Sequence, residues 1–197
     1  MNKKWNYSSF GIPDSYFIRG KAPMTKEEVR AVVMGKLRLQ EDNIFIDVGA
    51  GTGSVSIEAA LKLSKGKVYA IEYKEEALNL LEVNKNAFEL NNIEILKGRG
   101  KTELNKIEAF DRIFIGGSGG ELPWIMDHAL QHLSQEGRIV ITAVTLETLT
   151  SALHGLKDKG FQEVEMVSIG VSKGRSTGNY TLMEAQNTIY VLSATKR

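Results

Sequence analysis

The stretch Asp47-Val48-Gly49-Ala50-Gly51-Thr52-Gly53 limits the folds open to this chain more than any other feature. It follows the short apolar run 44–48 and leads into helix-patterned sequence ending near Leu63. A strand, a tight turn and a helix in that order open a βαβ unit of a parallel sheet. The three glycines permit positive φ and carry no Cβ, so a ligand can approach the backbone closely. The N–H groups opening the helix favour negative charge.

Two common ligands of such a turn are disfavoured. The dinucleotide pattern G-x-G-x-x-G needs glycine at 54, where the chain has Ser54. A P-loop needs Gly-Lys-Ser/Thr, and the turn holds no lysine. Glu72 ends the next apolar run, 67–72, and lies 72 − 53 = 19 residues beyond Gly53. A carboxylate there can accept hydrogen bonds from both hydroxyls of a ribose. Adenosine without a pyrophosphate is the implied ligand, and S-adenosylmethionine fits. Asp47 offers negative charge to its sulfonium and ammonium, and free backbone N–H groups suit its carboxylate. The plainer alternative is that the glycines only tighten a βα turn and Glu72 is a solvated strand end.

The rest of the chain keeps the same rhythm. Thr25-Lys26-Glu27-Glu28 reads as a capping box, with Thr25 as N-cap. Val29, Val32, Val33 and Leu37 follow at helical spacing. Strands are predicted over 44–48, 67–72, 93–96, 111–115 and 138–144. Helices are predicted over 74–88, from near Pro123, which suits a first helical turn, and over 146–159, with Thr145 as cap. Residues 163–169 and 188–194 then read as strands with no helix between them, hence antiparallel. The 170–187 stretch between them is rich in Gly, Ser and Thr and reads as a loop. The predicted fold is α/β, a Rossmann-like, doubly wound, mostly parallel sheet closed by an antiparallel hairpin. Residues 25–197 form one domain. Residues 1–24 form an arm whose Trp5, Tyr7, Phe10, Tyr16 and Phe17 are too many for a free tail, so it packs on the body or a neighbouring subunit.

Composition excludes other classes. The chain has 197 residues, 42% of them hydrophobic, and a net charge of 25 − 24 = +1. That is neither disordered composition nor the basic excess of a protein held to nucleic acid by charge alone. At this mass roughly 70% of the unfolded surface is buried on folding, which suits a single full core. With no cysteine, disulfides, zinc–thiolate sites and thiol catalysis are ruled out. Residues 1–10 hold no apolar signal core and no run approaches the ~20 residues of a membrane span, so a cytoplasmic location without membrane attachment is expected.

The turn, the acid after the second strand and the terminal hairpin resemble the class I S-adenosylmethionine-dependent methyltransferases. In that family D-x-G-x-G-x-G and the strand-two acid are cofactor motifs. Gly98-Arg99-Gly100 occupies the family's adenine loop, where an acid is common and Arg99 departs from it. After strand four the chain has Gly116-Gly117-Ser118-Gly119-Gly120-Glu121-Leu122 in place of an Asn/Asp-Pro-Pro-aromatic segment. This makes a backbone-lined floor suited to a bulky flat substrate.

That floor, together with Gly11-Ile12-Pro13-Asp14, Phe17-Ile18-Arg19 and Pro23-Met24-Thr25, resembles the decarboxylating precorrin methyltransferases of cobalamin biosynthesis. The resemblance implies methylation of a tetrapyrrole at ring carbon 15, decarboxylation of an acetate at carbon 12, and a homotetramer. It implies cofactor contacts at Thr25, Asp47, Gly49, Ala50, Gly51, Thr52, Gly53, Glu72 and Gly100. An electron-rich macrocycle supplies its own nucleophile, so no strong general base is required.

Substrate carboxylates call for arginine. Arg19, Arg99 and Arg175 are the candidates, with Lys101 and Lys173 secondary and Gly117, Ser118 and Gly119 as floor. No catalytic residue stands out; Ser118 and Glu121 are candidates for proton handling and Tyr180 for a lid contact. His128 and His132 share a helix face, but no third ligand motif accompanies them, so no metal is expected. Two other readings stay open: a methyltransferase of RNA or of another small molecule, though charge balance disfavours nucleic acid as a partner, and a non-catalytic Rossmann-like subunit.

Overall fold

The computed structural model describes residues 5–197; the first four residues of the expected arm lie outside it. After a single 3-10 turn at Asp14–Tyr16, the elements run α1 (Glu27–Leu37), β1 (Ile44–Val48), α2 (Ser54–Lys62), β2 (Lys67–Glu72), α3 (Glu75–Ala87), β3 (Ile93–Lys97) and α4 (Gly100–Leu104). They continue with β4 (Phe110–Ile115), α5 (Leu122–His132), β5 (Leu133–Ala143), α6 (Leu146–Asp158), β6 (Gln162–Ile169), β7 (Ser172–Thr177), β8 (Tyr180–Ala185) and β9 (Ile189–Thr195). Seven strands make one sheet in the order β3-β2-β1-β4-β5-β9-β6. The first five are parallel, and β9 runs antiparallel between β5 and β6. The doubly wound sheet with a terminal antiparallel pair is therefore present.

Alternation along the strands divides the core in two. Phe45, Val68, Ala70, Phe114 and Val140 pack toward α1, α2 and α3. Ile46, Val48, Ile71, Ile113, Ile115 and Ile139 pack toward α5 and α6. A period of two is what a sheet covered on both faces requires. The chain order reverses at β1, with β2 on one side and β4 on the other. That switch point is where open α/β sheets take ligands, beyond the C-terminal strand ends.

Four expectations need correction. Thr25 does not cap α1: the N-cap is Lys26, with no side-chain cap bond. The first turn is satisfied otherwise, since Glu27 N donates to Asp14 Oδ1 at 3.0 Å and the Thr25 carbonyl accepts from Arg30 at 2.5 Å. A short helix, α4, stands where none was read between strands three and four. β5 begins at Leu133, directly after α5, and not at 138; Glu136 takes φ 59° within it. The 170–187 stretch is no loop but a separate antiparallel ribbon, β7–β8. By contrast the Thr145 cap is present: its side chain accepts from Thr148 N at 3.2 Å.

The arm is fastened by charge as well as by apolar contact. Ile12 and Phe17 are buried in the α1–α3 core. Gly11 N and Ile12 N both donate to the Glu58 carboxylate, at 3.0 and 2.8 Å. Arg30, fully buried, donates to the same carboxylate at 2.6 Å.

Candidate functional site

The glycine turn is pinched between two other segments of the chain. Gly49, Gly51 and Gly53 have φ of 75°, 58° and 80°. A Cβ at Gly49 would run into the backbone of Gly117, and one at Gly51 would lie 2.8 Å from the Pro23 carbonyl oxygen. The close approach that these glycines permit is thus first of all an approach of the protein to itself. It brings the arm, the turn and the Gly116–Gly120 loop together. Gly116 N and Gly117 N donate to the Val48 carbonyl at 3.0 and 3.2 Å, and Gly49 N and Ala50 N to that of Ile71 at 2.9 and 3.0 Å.

Asp47 lies under this turn with no exposed surface. Its Oδ2 accepts from Ser56 Oγ at 2.5 Å, and its Oδ1 has no partner. Burial pushes the carboxyl up to about 7, assisted by the nearby Glu72 charge and opposed by the Ser56 hydrogen bond. The Thr52 hydroxyl is likewise buried and unpartnered. An orphaned carboxylate oxygen beneath a turn suits a cationic ligand group, so the residues present fit the cofactor that the turn suggests.

Glu72, on the neighbouring strand, is nearly buried. Its Oε1 accepts from Tyr73 N and Lys74 N at 2.8 and 2.9 Å, and its Oε2 from Gly51 N at 3.0 Å. Three of about four acceptor positions are taken, so a ribose diol would have to displace or share the Gly51 bond. Gly98 N ties the next loop to the Glu72 carbonyl at 2.9 Å. The hollow bounded by Gly49, Glu72, Tyr73, Arg99, Gly100 and Ser118 is narrow, about 20 Å³. Arg99 closes over it, its guanidinium 4.9 Å from the Tyr73 ring centre and 3.5 Å from the Gly119 carbonyl. A surface cation–π contact of this kind is worth about 0.5–1 kcal/mol, so swinging Arg99 aside to widen the hollow is a small cost. Glu121 accepts from Lys101 N at 3.0 Å, which holds both residues at the rim.

Beside the hollow, over the ends of β4 and β5, lie two adjoining cavities. One, about 370 Å³, is bounded by Met24, Thr25, Lys26, Gln186 and Asn187. The other, about 320 Å³, is bounded by Ile115, Gly117, Ser118, Gly119, Leu122 and Thr148. Gly116, Thr142 and Val144 border both, which makes them one cleft.

The fold therefore gathers Thr25, Asp47, Gly49, Ala50, Gly51, Thr52, Gly53, Glu72, Arg99, Gly100, Gly117, Ser118, Gly119 and Glu121 around one region. It does not bring in every candidate. Arg19 follows the arm segment tied to α3, where Ile18 N bonds to Asn84 at 2.7 Å and Lys21 N to Glu76 at 2.9 Å. It borders neither cavity. Arg175 is paired with Glu184 across the ribbon at 2.5 Å, and Lys173 with Glu28 at 2.8 Å. Tyr180, 77% exposed, stands at the ribbon's turn. His128 and His132 stack at 4.1 Å on the far face of α5. No group of three or more metal-ligating side chains occurs among the described residues. Lys26, Tyr73, Thr142 and Val144 were not foreseen. None of the four left a signal in the sequence beyond adjacency to a candidate, Lys26 beside Thr25 and Tyr73 beside Glu72.

Comparison with known proteins agrees with this geometry. A family model described as "Precorrin methyltransferase domain" matches residues 15–196. A Saccharolobus solfataricus protein named "Probable cobalt-precorrin-6B C(15)-methyltransferase (decarboxylating)" is 41% identical over 197 residues, covering 98% of this chain and 99% of its own. The cobalt-precorrin-6B C(15)-methyltransferase (decarboxylating) of Salmonella typhimurium is 41% identical over 186 residues, covering 94% and 96%. Among solved structures, the precorrin-6y C5,15-methyltransferase of Geobacter metallireducens superposes with a TM-score of 0.91 at 39% identity, covering 96% of this chain and all of that one.

Proposed function

This chain belongs to the precorrin methyltransferase family, and from that membership we propose its reaction: an S-adenosylmethionine-dependent, decarboxylating C-methylation. The substrate is a precorrin or cobalt-precorrin tetrapyrrole. Ring carbon 15 gains a methyl group, and the acetate side chain at carbon 12 loses carbon dioxide. The observation that carries this reading is the position of Asp47. Its unpaired Oδ1 lies buried beneath the turn whose Gly49 borders the Glu72 hollow, and Gly117, Ser118 and Gly119 border both that hollow and the cleft. A cationic nucleoside and a large flat partner can then be neighbours.

When bound, S-adenosylmethionine supplies the methyl group. Asp47 offers its free oxygen to the ligand's positive charge, and Glu72 holds the ribose. Thr25 and Thr52 stand near the methionine end and Gly100 near the adenine. The chain's work is to place the ring carbon about 3–3.5 Å from the methyl group and to keep water out. No general base is needed, and the cleft supplies none: Lys26 is the one titratable side chain bordering it among the described residues. A single lysine is also not the basic stripe that an RNA substrate calls for.

The reading extends to assembly, organisation and location. Both strands of the β7–β8 ribbon are exposed along their whole length, including Leu182 and Met183. A lone two-stranded ribbon is marginal in water, so we take it to pack between copies in a homotetramer. Light scattering should then give about four times 21.8 kDa. Residues 25–197 act as one methyltransferase domain with 1–24 as its arm, working in the cytoplasm; no described helix is long and apolar enough to cross a membrane.

Mass spectrometry of the product tests the reaction. Gain of one methyl with loss of one carbon dioxide is expected. Methyl gain alone would remove the decarboxylase assignment, and absence of both would remove the function.

A further inference from the structure

The cleft over β4 and β5 has an uneven charge distribution. Its β5–ribbon end is bordered by Lys26 together with Thr25, Gln186 and Asn187. Its other end, at the Gly116–Gly120 loop, is bordered by no charged side chain: Ile115, Ser118, Leu122, Ile141, Thr142 and Thr148 form its walls. Lys26 is held in place without being used up. Its ammonium lies 3.9 Å from Asp14 Oδ2, and its side chain is 34% exposed. The Asp14 carboxylate is itself already engaged by Glu27 N at 3.0 Å and by Arg30 at 3.4 Å. The lysine thus keeps donors for a second acceptor.

We propose that the cleft has two unlike subsites for one polycarboxylate macrocycle: Lys26 anchors a carboxylate that is retained, and the uncharged end receives the acetate that is lost. The assignment rests on the reaction proposed above. It follows from what each environment does to a carboxylate. A lysine neighbour stabilises the ionised ground state, which opposes departure of carbon dioxide. An end with no cation gives the ionised ground state no such support, and the charge-dispersed transition state suffers less from that lack. Carbon dioxide leaves as the bond from the side-chain methylene to the carboxyl carbon breaks. The bond's electron pair passes into the conjugated ring, and water then supplies the proton that turns the methylene into a methyl group. The carboxylates that remain need a cation, and Lys26 is the one the cleft offers.

The test uses the full chain with its tetrapyrrole substrate. Lys26→Met should weaken tetrapyrrole binding tenfold to a hundredfold, with S-adenosylmethionine affinity unchanged by titration calorimetry. Lys26→Arg should restore most of the loss. Added salt should weaken binding to the parent more than to Lys26→Met. In a second variant, Thr148→Lys places a cation at the uncharged end, and the ratio of carbon dioxide released to methyl transferred should fall below one. Thr148 bonds to the Thr145 cap through its backbone N–H, so the fold should survive. Parent-like tetrapyrrole affinity and salt response in Lys26→Met would overturn the anchor. A ratio that stays at one in Thr148→Lys would overturn the decarboxylation subsite. Both results leave the methyltransferase reading intact. If the parent itself neither bound nor methylated the tetrapyrrole, that reading would fall, and the two subsites with it.

Discussion

Gly51 N donates to Glu72 Oε2 across 3.0 Å, which joins the glycine turn to the end of the neighbouring strand. One carboxylate thereby shapes the turn and faces the ribose position. Its substitution should therefore be felt twice. Glu72→Ala should weaken S-adenosylmethionine binding by about 1–3 kcal/mol, since buried donors lose their acceptor. It should also lower the unfolding midpoint of the ligand-free protein. Glu72→Gln keeps an acceptor for Gly51 and should lose affinity with a smaller change in stability. Titration calorimetry and thermal unfolding on both variants check this; unchanged cofactor affinity in Glu72→Ala would show that the carboxylate does not hold the ribose.

Asp47 makes both stability and cofactor binding depend on pH. Burial raises its carboxyl from the ordinary 3.8 to about 7. Between those values the folded chain holds a proton that the unfolded chain has released, so stability falls as pH rises. The contribution is whole below pH 3.8 and gone above about 7. A shift of about three units corresponds to ~4 kcal/mol. The cationic ligand should act in the opposite direction, because it needs the ionised form. Its affinity should rise about tenfold from pH 6 to pH 8, with a proton released on binding. Asp47→Asn should flatten both dependences, as read by denaturant unfolding and calorimetry in buffers of different ionisation enthalpy.

The part of this site readable from the sequence was the part that is local. Strand, glycine turn and helix are contiguous, and Glu72 falls at a spacing that the βαβ unit fixes. The β7–β8 ribbon was hidden because neither strand buries a face, so no alternation of apolar residues marks it. The five residues of α4 are too few to show helical periodicity. Thr25 had the sequence of a cap, but Asp14, distant along the chain, satisfies the helix start in its place. The cleft was unreadable for a related reason. Lys26, Thr142 and Gln186 meet only after the sheet has brought three distant segments together, and Lys26 looked like any solvated lysine.

The buried pair of Arg30 and Glu58 governs how firmly the arm is seated. Their side chains are 0% and 1% exposed, and Glu58 also accepts from Gly11 N and Ile12 N. Glu58→Ala would leave Arg30 Nε and two amides without their acceptor, while Asp14 and the Thr25 carbonyl still take the guanidinium's other donors, at about 1–3 kcal/mol. Because Met24, Thr25 and Lys26 wall the cleft, loosening the arm should reach the substrate site. Hydrogen exchange should show faster exchange at residues 11–18, and tetrapyrrole KM should rise. Exchange unchanged over that segment would mean that apolar packing of Ile12 and Phe17 is enough to hold it.

Gly49 is the position least able to accept a side chain. Its φ of 75° is strained for any other residue, and a Cβ there would collide with three backbone atoms of Gly117. Backbone cannot rotate away as a side-chain tip can. Gly49→Ala must therefore separate the turn from the loop after β4, breaking the Gly116 and Gly117 bonds to the Val48 carbonyl. Left-handed strain contributes about 1–3 kcal/mol and overpacking a similar amount, so a loss of roughly 2–6 kcal/mol is expected in denaturant unfolding. Gly178→Ala is the matching control. Its φ of 60° carries the same backbone strain, but nothing lies within 4 Å of its added Cβ. It should lose only the strain part and leave cofactor affinity as it was. Equal losses in the two variants would mean that the contact between Gly49 and Gly117 adds nothing beyond the turn's own conformation.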